Sequence, residues 1–136
     1  MHLLIEAADR PALARGMKAV GARLARAVNR IFGRTGPVLA DRYHMRVLKT
    51  PREVRNALRY VLLNARRHAS RLSGTVRLDP ASSARWFDGW RRESPAIREV
   101  LTEALERPVA RARTWLLRIG WRRHGLIDPA DVPGLG

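Results

Sequence analysis

Tyr60 and Asn64 stand four residues apart in the stretch Leu58-Arg59-Tyr60-Val61-Leu62-Leu63-Asn64-Ala65, a spacing that puts both side chains on adjacent turns of one helix face. Val54, Leu58, Val61, Leu62 and Ala65 form the apolar stripe expected to meet a core. Tyr60 and Asn64 fall about 80 to 120° off that stripe, at the edge of the core and facing outward. A phenol so placed is a nucleophile when a metal ion polarises its electrophile, and a carboxamide one turn on supplies an oxygen ligand for that ion. Tyrosine and asparagine are common at core boundaries, so the pair gains chemical meaning only from what surrounds it.

The helix that would carry the pair has a well-marked start. Thr50-Pro51-Arg52-Glu53 is a capping box with proline at the first helical position. Before it, residues 42–49 alternate, Tyr43, Met45 and Val47 on one side and Arg42, His44 and Arg46 on the other, which predicts a half-buried strand. His2-Leu3-Leu4-Ile5-Glu6-Ala7 reads as another short strand, beginning with the first residues of the chain. Between the two, Asp9-Arg10-Pro11 caps and opens a helix over 12–32, and Gly33-Arg34-Thr35-Gly36-Pro37 ends it. Its apolar stripe is Leu13, Met17, Val20, Leu24, Val28 and Ile31, with Arg15, Lys18, Arg23, Arg26 and Arg30 on the other side.

Beyond the tyrosine helix the composition changes. Residues 70–83 are rich in small and turn-forming residues and predict a linker, followed by Trp86 and Trp90 at helical spacing. Tryptophans spaced in this way fill a small core more often than they stack on bases. Ser94-Pro95 opens a helix bearing Ile97, Val100, Leu101 and Leu105 that stops at Pro108, and a last helix over 114–124 stops at Gly125. The expected organisation is a core over 1–69 and a basic helical region over 70–136.

The charge balance is 27 Lys plus Arg against 12 Asp plus Glu, a formal +15, which marks a polyanion binder. All but Lys18 and Lys49 of these cations are arginine, whose planar fork pairs with phosphate and stacks on bases. A GC-rich coding sequence produces the same choice of arginine over lysine, but not the excess of positive charge. A hydrophobic content of 46% argues for a folded core and against a disordered basic tail. No apolar run approaches the ~18 residues of a membrane span, residues 1–7 are too short for a signal peptide, and there is no cysteine. These features lead to the expectation of a cytoplasmic protein that does not enter membranes.

Read in order, the histidine strand, arginine-rich helix, Asp41-Arg42-Tyr43-His44 strand and Tyr60 helix resemble the HUH single-tyrosine transposases, in particular the REP-associated tyrosine transposases. The motif-bearing similarity runs from residue 1 to about 68. The segment 79–90 and the run 113–125 also look like the downstream region of such proteins. The resemblance implies an α+β chain with an incomplete ferredoxin-like core, followed by a helical C-terminal region. It implies that Tyr60 attacks a phosphodiester of single-stranded or hairpin DNA and holds the strand as a 5′-phosphotyrosine. It also implies a divalent ion, magnesium or manganese, bound by His2 and Asn64. Arg15, Arg23, Arg26, Arg30, Arg42, His44, Arg46, Arg59 and Arg67 would hold the DNA.

The departures from that family are specific. The first histidine of its paired motif would fall immediately before Met1, and the strand, helix and strand that open its sheet have no counterpart here. The two remaining strands would have to pair directly, recruit a second chain as in a homodimer, or leave backbone donors open. Such a chain is expected to cut DNA weakly or not at all unless upstream residues complete it. A nucleic-acid-binding remnant without catalysis is the alternative, and a basic amphipathic protein on anionic membranes is a third. His44 is expected to face solvent or phosphate in preference to a metal, and His68 and His124 to sit against carbonyls at helix ends.

Overall fold

The structure is a computed structural model that describes residues 1–39, 43–69, 78–91 and 108–131, with residues 65–69 described as backbone only. The predicted helices that start at Asp9 and Thr50 are both present. α1 spans Arg10–Phe32: the Asp9 carboxylate accepts from the Ala12 backbone N–H at 2.7 Å, and Gly33 ends the helix in the left-handed region at φ 59°. That conformation suits glycine, and the cap N–H returns to the Asn29 carbonyl. α2 spans Pro51–Ala69 and begins with the reciprocal capping box. The Glu53 N–H donates to Thr50 Oγ1 at 3.2 Å, while Glu53 Oε2 accepts from the Thr50 N–H at 3.0 Å and the Lys49 N–H at 2.8 Å.

The chain divides into two compact units. One joins Met1–Leu4 to Leu48–Gly136, and the other is Ile5–Val47. Within the first of these, α2 shares a core with the segments that follow it. Val54, Leu58, Leu62 and Leu63 of α2 are buried with Ala84, Trp90, Trp121 and Ile127, and Leu4, Leu48, Phe87 and Leu116 pack around them. The downstream part of that core is made of short pieces: a 3₁₀ turn Ser83–Trp86, a single helical turn α3 at Trp115–Arg118, and a 3₁₀ turn Gly120–His124. The helix expected over 114–124 is thus two short turns, ending as predicted at Gly125, with φ 83°. Trp86 and Trp90 do not share a helix: Trp86 closes the first 3₁₀ turn, and Trp90 forms an isolated parallel bridge with Ile127. The predicted linker over 70–83 is described only from residue 78, and the helix expected after Ser94 lies outside the described residues.

The expected α+β fold with a ferredoxin-like sheet is not what forms. Among the described residues there is no strand, and the Trp90–Ile127 bridge is not part of a sheet. Residues 1–6 and 43–49 lie outside helices and turns, yet no ladder joins them. Alternation alone does not make a strand, since a two-stranded pairing is marginal in water without a further strand or a packed face. Tyr43, Met45 and Val47, the side predicted to be buried, are all exposed. In the second unit α1 buries none of its residues completely, and Ile31 and Phe32 near its end are open to solvent. No helix among the described residues is long and apolar enough to cross a membrane.

Candidate functional site

α2 is buried over a broad arc. Val54, Leu58 and Leu62 follow at four-residue intervals, and Leu63 extends the buried surface beyond the predicted stripe. What remains for Tyr60 and Asn64 is the flank, where both are half-buried. Leu4 packs against the core beside this helix and helps to hold the chain start, so the exposed His2 comes to lie against Tyr60. The two rings meet edge to face, centroids 4.9 Å apart at 81°. The Tyr60 hydroxyl is 3.4 Å from His2 Nε2, at the long end for a hydrogen bond. Residues 58 positions apart in the chain therefore form one cluster.

One turn further along α2, Asn64 Oδ1 is buried without a hydrogen-bond partner. A buried carbonyl oxygen left in this way costs about 1 to 3 kcal/mol, which makes it a ready acceptor for a donor or a cation. An imidazole nitrogen and a hard carboxamide oxygen are donors that fit a divalent ion. Among the described residues no three His, Cys, Asp or Glu side chains gather into a metal-binding group. His2 and Asn64 alone would not complete the coordination of such an ion, whose further ligands would have to be oxygens from elsewhere. An Nε2 engaged with the phenol cannot also bind metal, so ligation through that atom would displace the tyrosine contact.

The DNA-binding residues predicted from the sequence separate in space. Arg15, Arg23, Arg26 and Arg30 are all exposed on α1 in the second unit. At 100° per residue they lie within an arc of about 80°, opposite the apolar stripe, so this basic face exists as predicted. His44 and Arg46 are exposed in the extended segment that follows. Arg59 is half-buried, and its Nε is enclosed without a partner. Arg42, and the side chains of Arg67 and His68, lie outside the described residues.

Two features escaped the sequence reading. Arg55, which looks like an ordinary charge on a solvated face, donates from Nε to the Gly125 carbonyl at 2.9 Å and from a terminal nitrogen to the Leu126 carbonyl at 3.2 Å. It ties α2 to the last turn of the core, and nothing in local spacing announces a contact across 70 positions. Arginine–tryptophan pairs also recur in the downstream region: Arg85 over Trp86, Arg122 over Trp121 and Arg123 over Trp115, at 5.5, 5.0 and 5.0 Å from the ring centroids. Their repeated proximity in sequence was a signal that could have been read. Comparison with known proteins adds no family to this geometry: no family model, curated protein or solved structure matches the chain.

Proposed function

We propose that this protein binds single-stranded or hairpin DNA and that Tyr60 is the nucleophile of a DNA strand-transfer site, a transposase-like activity. The observations that support the reading are the meeting of the Tyr60 hydroxyl with His2 and, one turn further along α2, the unpartnered Asn64 oxygen. In the proposed reaction the phenolic oxygen forms a bond to phosphorus and the bond from phosphorus to the 3′-oxygen breaks. The tyrosine proton is released and the departing 3′-oxygen takes one up, leaving a free 3′-hydroxyl and a 5′-phosphotyrosine. Reversal with another 3′-hydroxyl rejoins the strand, and one phosphoester replaces another, so no energy cofactor is consumed. A magnesium or manganese ion held by His2 and Asn64 would supply Lewis-acid polarisation of the phosphate. The arginine face of α1 would hold the backbone through charge-assisted contacts.

In this proposal a histidine directly before Met1 would stand two residues from His2, on the same side of an extended segment, and provide a further nitrogen ligand. The test places that residue there and mixes the protein with a divalent ion and a hairpin oligonucleotide. A covalent protein–DNA adduct is expected on a denaturing gel. It should be absent with Tyr60→Phe, which keeps the ring and its packing. An adduct that survives this substitution would exclude Tyr60 as the nucleophile.

The exposed arginines of α1 support a second reading, in which the chain binds nucleic acid without cutting it. Such a protein would show the same affinity in wild-type and Tyr60→Phe forms and no adduct under any condition.

A further inference from the structure

Trp115 differs from the other three tryptophans in its exposure. Trp90 and Trp121 are buried, their indole N–H groups satisfied by the Ala84 and Leu117 carbonyls at 2.9 and 3.0 Å, and Trp86 is half-buried. Trp115 opens α3 with 47% of its surface exposed. Its position is nonetheless fixed. The helical turn is capped by Thr114, whose hydroxyl accepts from the Leu117 N–H at 3.3 Å, and the Trp115 carbonyl accepts from the Ile119 N–H at 2.9 Å. Gly120 comes so close to the six-membered ring of the indole that a Cβ there would lie 2.7 Å from Cζ3. The Arg123 guanidinium sits 5.0 Å from the ring centroid. Arg111 and Arg118 are exposed in the same region, and neither has an ion-pair partner among the described residues.

We propose that Trp115 and Arg123 form a stacking site for an unpaired nucleobase, with the exposed Arg118 available for a neighbouring phosphate. An aromatic ring held in place, half open to solvent and set among cations matches the two requirements of single-strand binding: a π-face for the base and positive charge for the backbone. Duplex DNA keeps its bases stacked inside and offers this ring nothing to cover, so the site selects unpaired strands. The inference rests on the nucleic-acid reading above and is independent of Tyr60.

The test compares two oligonucleotides of about twelve nucleotides, a length within the span that such sites cover. One carries thymine bases and the other is abasic, so both present the same phosphates. Binding to the full chain is followed by fluorescence anisotropy. Wild type should bind the thymine strand about tenfold more tightly than the abasic one. Trp115→Leu should lose that preference while keeping its affinity for the abasic strand, and Trp115→Phe should recover part of it. The abasic affinity and the phenylalanine rescue separate loss of stacking from loss of folding. Equal binding of both strands by wild type, or an undiminished preference in Trp115→Leu, would overturn the stacking site and leave phosphate binding standing. Failure to bind either strand would overturn the nucleic-acid reading itself.

Discussion

Tyr60, His2 and Asn64 each have a reason to be where they are that involves no chemistry: an aromatic edge contact, a chain start held by Leu4, a boundary amide. What the structural roles leave unexplained is the unsatisfied Asn64 oxygen. Asn64→Leu should be neutral or stabilising in the metal-free chain, because an unpaired buried polar group is replaced by an apolar one. Urea unfolding is expected to show that gain, on the order of 1 kcal/mol, together with loss of covalent capture in the histidine-extended protein. Retained capture would remove Asn64 from the site. The tyrosine and asparagine were legible in the sequence because four-residue spacing on a well-capped helix fixes their common flank. The part proposed for His2 came from family resemblance, since a contact across 58 positions follows from no local rule. The enclosure of Arg59 Nε was not legible either, because it depends on tertiary neighbours.

At the scale of elements, helix starts and stops were read correctly wherever a side chain or a glycine makes the boundary, as at Asp9, Thr50, Gly33 and Gly125. The strands were not, because a strand is completed by a partner that its own alternation does not specify. The small downstream core was anticipated only as a place for tryptophans, and its actual form depends on close approaches. A Cβ on Gly89 would run into the rings of Trp121 and Phe87. Gly89→Ala should therefore destabilise the first unit by about 1 to 3 kcal/mol in urea titration, with α2 losing its protection at the same midpoint. Arg55→Ala removes both bonds to the Gly125 and Leu126 carbonyls and should cost about 1.5 to 3 kcal/mol. Thr50→Ala, by comparison, loses a single exposed cap and should cost about 1 kcal/mol. An Arg55→Ala protein as stable as wild type would show that this clamp contributes nothing to joining α2 with the end of the core.

For the molecule as a whole, the formal charge of +15 outweighs any single site. Much of it is visible as arginines on the outer face of α1 and around Trp115, so the chain presents cations in both of its compact units. That charge was fully legible from composition, and so was the inference of a polyanionic partner. The architecture was not, since the sheet expected beside these basic helices does not form among the described residues. If the arginines bind a DNA strand through its phosphates, each neutralised phosphate should contribute about −0.7 to the slope of log affinity against log salt. About six contacts then give a loss of roughly 300-fold between 50 and 200 mM salt. The direct measurement is the affinity of the 136-residue chain for a fluorescent single-stranded oligonucleotide, read by anisotropy at increasing salt. Binding that weakens along that steep line is the predicted result, and an affinity that stays flat across the range would contradict it.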